Sequence, residues 1–334
     1  MNFKMVVPVM ILAALSSSCK KKTKSEPIPA TVTFKTSYTI ESEGLYPESV
    51  DYDNKNNRFV LSSFNKGTIS TLSVSGELKT FISDKKLITG TGVFTDEVRN
   101  RLIVLGSDVG ASEKSTNAGK NAGSVAYAAV YDLTNGTFIK EIDLKPLSPG
   151  AGAFPNDIAV DEAGNIYITD SFFPAIYKID GNYKASVYAS DDKFKPAPGA
   201  FGINGIVYSN DGYFLVTKTD NAKLFKVSLK NPSDIKEVSG ITVQAPDGLE
   251  WTKNNELVII ENGLAGGIAY KFASKDNWAT ANKTAEKNIG KDNFPTSATL
   301  ASNGKVFVLA ITKLGIFLTG DKKQSSFGLE QLDF

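Results

Sequence analysis

The stretch P-N-D-I-A-V-D-E-A-G-N-I-Y-I-T-D, residues 155–170, reads as a short alternating strand, a polar turn and a second strand. It recurs. P-E-S-V-D-Y-D-N-K-N-N-R-F-V-L begins at Pro47, I-N-G-I-V-Y-S-N-D-G-Y-F-L-V at Ile203, and P-D-G-L-E-W-T-K-N-N-E-L-V-I-I at Pro246. Two weaker copies are T-G-V-F-T-D-E-V-R-N-R-L-I-V-L from Thr91 and P-T-S-A-T-L-A-S-N-G-K-V-F-V-L from Pro295. Aligning them places Glu48, Thr91, Asn156, Asn204, Asp247 and Thr296 at one position, with steps of 43, 65, 48, 43 and 49 residues. A multi-strand repeat of about 40–50 residues is the mark of a β-propeller blade.

Six copies give an all-β, six-bladed propeller of four-stranded antiparallel blades, spanning residues 31–334 without a linker that would favour two sandwich domains. Further strands such as A-I-Y-K-I-D from Ala175 and A-K-L-F-K-V-S from Ala222 complete the blades. The sixth copy runs out early. The N-terminal T-V-T-F-K-T-S-Y-T-I from Thr31 and the C-terminal F-G-L-E-Q-L-D-F compete to finish it. The long step holds G-A-S-E-K-S-T-N-A-G-K-N-A-G-S from Gly110, which reads as a mobile loop.

Ahead of the repeats, Lys4 and the apolar run Met5–Leu15 form a secretory leader, since 11 residues fall short of the about 20 that span a bilayer. L-S-S-S-C resembles a bacterial lipoprotein signal, although leucine lies at −4 and Ser16 at −3. Residues 1–18 are thus expected to be removed, and Cys19, the one cysteine, to carry the lipid. Residues 19–30 then form a Lys- and Pro-rich tether. The domain is expected in the bacterial cell envelope, anchored to the membrane by that lipid and facing the periplasm or the exterior. The Lys20–Lys24 cluster reads as solvated tether that could touch anionic headgroups.

The 334 residues are 41% apolar and 22% charged with a formal net charge of +1, a balance that argues against nucleic acid. Arginine occurs only at 58, 99 and 101, so bidentate phosphate forks are scarce. Histidine is absent, which excludes Ser-His-Asp and Cys-His catalysis and any His-ligated metal. Asn262 opens N-G-L-A-G-G, but no helix follows and no phosphate site is read there. Asp157, Asp170 and Asp220 read as turn residues.

The aligned position opens the innermost strand of each blade, so its residues converge on one mouth of the central channel. Pro47, Pro155, Pro246 and Pro295 immediately precede four of them, fixing φ where the chain turns into the wall. Two carboxylates, Glu48 and Asp247, and two amides, Asn156 and Asn204, form an all-oxygen donor set. That chemistry suits a hard divalent cation, Ca²⁺ before Mg²⁺, which would also cancel the repulsion between the acids. The alternative reading is a wet channel mouth lined by structural polar residues.

Glu48 in Y-P-E-S-V, Asn156 in P-N-D-I-A-V-D, Asn204 in F-G-I-N-G-I and Asp247 in A-P-D-G-L-E-W make the chain similar to the SMP-30/gluconolactonase/LRE family of six-bladed propellers. The similarity spans residues 44–311. It implies that Glu48, Asn204 and Asp247 hold the metal, that Asn156 lies beside them touching substrate or water, and that the activity is a Ca²⁺-dependent lactonase or ester hydrolase. Two departures stand out. Sugar-lactone members carry an arginine where this chain has Phe154, and paraoxonase-like relatives use histidines. Phe154, Phe172, Phe173 and Phe201 therefore suggest a more apolar lactone or ester, with Phe154 and Asn156 contacting it, unless these rings only pack blades.

If the site is catalytic, the metal is expected to polarise a carbonyl and Asp247 to act as general base, with Glu48 mainly a ligand. The chain is expected to work as a monomer. The competing readings are a lipid-tethered propeller that binds a glycan, peptide or protein without catalysis, and a metal-stabilised element of an envelope assembly.

Overall fold

A computed structural model describes residues 1, 32–115 and 123–334. The leader, Cys19 and the tether lie outside the described residues, as do residues 116–122 of the long insertion. Among the described residues no helix is long and apolar enough to cross a membrane.

The body from Thr33 to Phe334 is a six-bladed β-propeller built of six four-stranded antiparallel sheets. The inner strands are Val50–Asp53, Thr89–Asp96, Pro155–Val160, Ile203–Ser209, Pro246–Trp251 and Ala298–Leu300. Five blades run outward through four consecutive strands. Four of the six second strands, Ile166–Asp170 and Leu257–Glu261 among them, are buried at every residue, because a neighbouring blade covers each face. Outer strands such as Asn282–Asn288 face water and are mostly polar.

The sixth blade is the closure, and the two terminal segments do not compete. Ser326–Gln331 takes the third place beside Val306–Ile311, and Ser37–Glu41 pairs with it from Tyr38↔Leu329 to Ile40↔Phe327 as the outermost strand. Ser37–Glu41 alternates exposed and buried, so Tyr38 and Ile40 point into the seam between blades 6 and 1. There Tyr38, Phe59 and Phe307 stack with centroids 5.0–6.1 Å apart. Burying several aromatic rings at about 25 cal/mol per Å² makes this seam a strong latch on the ring.

The described start of the insertion is not loose. Ser112 Oγ donates to the carbonyls of Asn65 and Ile88, and Lys114 Nζ donates to those of Gly67, Asp84 and Leu87. A short helix, Leu314–Leu318, follows the second strand of blade 6 in place of a direct turn.

Candidate metal centre at the channel mouth

Four inner strands share one local irregularity. The ladder with the second strand slips between Gly90 and Val93, Pro155 and Ile158, Ile203 and Ile206, and Pro246 and Leu249. Asn156, Asn204 and Asp247 lie inside three of these bulges and Thr91 inside the fourth. A bulge frees its residues from the ladder and re-aims their side chains, here toward the channel. Glu48 and Thr296 instead stand two residues ahead of their strands.

The bulges also permit close packing of neighbouring inner strands. A Cβ on Gly205 would overlap the carbonyl oxygen of Asp247, so glycine beside Asn204 is what lets blade 5 approach blade 4. Hydroxyls staple the same seams. Thr91 Oγ1 donates to Pro155 O at 2.7 Å, Thr217 Oγ1 to Asp247 O at 2.8 Å, and Thr296 Oγ1 to Glu48 O at 2.5 Å. Thr91 and Thr296, read from the repeat as members of the converging set, spend their hydroxyls on blade contacts.

Glu48, Asn156, Asn204 and Asp247 are all buried and line one cavity of about 90 Å³ at the mouth. Thr296 lines it as well, and two polar residues outside the aligned set join them, Thr219 and Asn262. Sequence reasoning missed both. The available signal was positional: Ser171, Thr219 and Asn262 each directly follow their blade's second strand, next to the inner-strand residue of the same blade. Asn156 Nδ2 donates to Ser171 Oγ at 3.0 Å, and Asn204 Nδ2 to Thr219 Oγ1 at 3.1 Å. Asn262 and Asn204 also stand near enough to the Asp247 carboxyl to favour its charged form. With the nitrogens engaged at the wall, the amide oxygens are the groups left to coordinate a ligand.

The two acids are strained by their setting. Burial, then the charges of Asp247 and Asp157, push the Glu48 carboxyl well above the usual range. Burial raises Asp247 to about 7; Asn262 and Asn204 pull it down and the Asp157 charge pushes it up. Among the described residues no three Asp or Glu side chains gather as a metal cluster, so any cation at the mouth depends on amide oxygens. Two carboxylates with two or three amide oxygens match the donor chemistry of Ca²⁺.

The rest of the lining is apolar: Phe64, Phe154, Phe201, Phe294 and three leucines, with no lysine or arginine. Phe154, Phe172 and Phe201 stack with centroids 5.2–5.5 Å apart, while Phe173 packs between blades away from the mouth. Asp170 organises this wall. Its Oδ1 accepts the backbone N–H groups of Phe154, Phe172 and Phe173, each at 2.9 Å. Asp220 pairs with Lys218 and accepts Ala197 N–H, so it too serves the blade. Asp157 faces the channel below the mouth, where it accepts Ile158 N–H and, across the seam, Ile206 N–H at 2.8 and 2.9 Å.

Comparison with known proteins supports the architecture. A beta-propeller repeat model matches residues 148–169. The major Malassezia sympodialis allergen Mala s 1 superposes with a TM-score of 0.70 at 16% identity, covering 90% of this chain and 97% of its own. A luciferin-regenerating enzyme gives 0.62 at 11% identity over 89% and 95%. The gluconolactonase XC5397 from Xanthomonas campestris gives 0.60 at 13% identity over 88% of each chain. No curated protein matches the sequence. At these identities the likeness is one of fold.

Proposed function

We propose that this chain is a divalent-metal-dependent hydrolase of apolar lactones or esters, with Ca²⁺ as the favoured ion. The observation that carries the reading is the meeting of Glu48, Asn156, Asn204 and Asp247 from four blades in one buried mouth. Glu48, Asn204 and Asp247 would hold the metal, with Asn156 as a further ligand or one water away. The bound ion supplies Lewis acidity toward a carbonyl oxygen.

The residues of the chain do the rest. Asp247, whose carboxyl burial pushes up to about 7 in the metal-free protein, would take a proton from an attacking water, with a basicity that the bound ion lowers. Asn156 Nδ2 gives one hydrogen to Ser171 Oγ and has a second with which to donate to the substrate carbonyl. Phe154 and its stacked neighbours provide an apolar wall that excludes water from the non-reacting part of the substrate. No lysine or arginine lines the cavity, so an anionic substrate head would find no side-chain partner there and could meet only the bound ion. Two proteins of the same fold, a gluconolactonase and a luciferin-regenerating enzyme, are enzymes, in keeping with this direction.

The test is hydrolysis of a panel of lactones, aryl esters and phosphotriesters with and without Ca²⁺, in the wild type, Asp247→Asn and Asn156→Ala, with bound metal measured for each. Asp247→Asn is expected to lose at least about 100-fold in kcat while retaining metal. Full turnover in metal-loaded Asp247→Asn rejects the base assignment. No hydrolysis by the wild type on any substrate rejects catalysis and leaves a binding propeller. We further propose that Cys19 carries a lipid that holds the domain in the envelope. Incorporation of a lipid precursor that persists in Cys19→Ala would refute it.

A further inference from the structure

We propose that a second, independent site on the opposite face of the ring binds a neutral oligosaccharide. The inner strands Ile203–Ser209 and Pro246–Trp251 start at the mouth with Asn204 and Asp247 and end on the far face with Tyr208, Ser209 and Trp251. Between those ends, at the junction of blades 4 and 5, lies a cleft of about 720 Å³, within the range of small-molecule sites. Both tryptophans of the chain, Trp251 and Trp278, line it together with Tyr208 and Tyr213.

The aromatic groups are held in fixed poses. Trp251 Nε1 donates to Tyr208 O at 2.8 Å across the blade seam, and the two indoles meet at 5.4 Å with planes 68° apart. Asn277 and Trp278 are consecutive left-handed residues, with φ of 56° and 61°. A bulky residue rarely adopts that conformation, and such strain collects at ligand-binding segments. Trp278 N–H is fixed on Ser274 Oγ at 2.8 Å. Trp278 is only 6% exposed, and among the described residues its indole N–H meets no protein acceptor; not being sealed in, it is open to water or to a ligand that enters the cleft.

The remaining lining says what kind of ligand. Nine of the fourteen lining residues are polar and four of the other five are aromatic, which disfavours a purely apolar guest. Among the described residues, the side-chain amides of Asn210, Asn255 and Asn277 make no hydrogen bond with the protein. Each offers two donors and an acceptor. Charge is sparse and mixed, Asp211 against Lys253 and Lys275. Of the four aromatic residues Trp278 and Tyr213 are core, so the half-buried Trp251 and Tyr208, bordered by exposed, uncommitted amides and one indole donor, supply the chemistry that recognises pyranose rings.

Because both tryptophans lie in the cleft, intrinsic fluorescence reads it directly. The full chain is titrated with maltotetraose, cellotetraose, chitotetraose, xylotetraose and, as a charged control, tetragalacturonate. A saturable shift with at least one neutral oligosaccharide is expected. Calorimetry should show that sugar bound roughly three- to tenfold more weakly by Asn210→Ala and by Trp278→Phe, the loss of one hydrogen bond. Phe201→Ala, at the rim of the mouth, should bind it normally. No shift with any neutral sugar, a response to tetragalacturonate alone, or binding unchanged in Asn210→Ala and Trp278→Phe overturns the proposal. So does binding lost in Phe201→Ala, which would place the sugar at the mouth.

Discussion

Removing the Asp170 carboxylate is expected to damage the aromatic wall of the mouth more than any surface change nearby. The side chain is fully buried. One oxygen gathers three backbone N–H groups at 2.9 Å and the other accepts Tyr177 O–H at 2.8 Å. Asp170→Ala leaves four donors facing a hole. Each buried unpaired donor costs about 1–3 kcal/mol, and water entering the hole recovers part, so a loss of about 4 kcal/mol is expected. Asp170→Asn keeps one carbonyl oxygen for the three amides and disturbs chiefly the Tyr177 contact, for about 1–2 kcal/mol. Urea unfolding, followed by far-ultraviolet dichroism with the slope held in common, measures both. A loss below about 1 kcal/mol for Asp170→Ala, or equal losses for the two variants, refutes the account that these amides depend on the carboxylate.

Three further outcomes are expected. Ca²⁺ at 100 times its Kd should stabilise the wild type by about 2.7 kcal/mol, raising Tm by about 4 °C, and Glu48→Gln should abolish the shift; an unmoved wild-type melt rejects the metal centre. In metal-free protein, burial and neighbouring charge lift Glu250 to about 8 and Asp157 to about 7, so the folded state holds extra protons from the ordinary carboxylate range up to those values. Stability from these groups is full at acidic pH and lost as pH rises through about 7–8, so Tm should be higher at pH 5.5 than at 8.5 and the difference should shrink in Glu250→Gln; a flat or opposite profile rejects it. Gly205→Ala should cost about 1–3 kcal/mol by pushing against the Asp247 carbonyl, and should weaken Ca²⁺ binding on calorimetry, whereas Gly181→Ala, with open space around its Cβ, should be neutral.

What could be read from the sequence follows from where each blade is buried. The inner two strands are covered on both faces, so their apolar runs and intervening turn repeat clearly, and that repeat picks out Glu48, Asn156, Asn204 and Asp247, which line one cavity. Outer strands face water, and Phe138–Asp143 is mostly exposed, so their pattern is weak. Closure was misjudged because pairing of distant chain ends leaves no local trace; both terminal segments found room once four strands were counted. The bulges were invisible, since a slipped register looks like imperfect alternation. Asn262 heads a glycine run that carries no phosphate site, and nothing in that run marks its place beside Asp247. Phe64, Leu314 and Leu318 reach the mouth from connecting segments whose course tertiary packing decides.

The channel ties the mouth to the stability of the ring. Asp51 accepts Thr95 N–H of blade 2 and Thr299 Oγ1–H of blade 6, Asp157 accepts Ile206 N–H of blade 4, and Glu250 accepts Leu300 N–H of blade 6. Acids on alternate inner strands thus clasp the neighbouring blades. Each clasp adds negative charge to one narrow channel, and no lysine or arginine lines its floor. The charges are felt along its length: Asp51 raises Asp157 and Glu250, and Asp157 raises Glu48 and Asp247. A metal-free ring can relieve that repulsion by taking up protons; a cation at the mouth relieves it without them. Proton uptake and cation binding therefore oppose each other throughout the channel. The acids that fasten the blades also supply a field that favours a cation between Glu48 and Asp247.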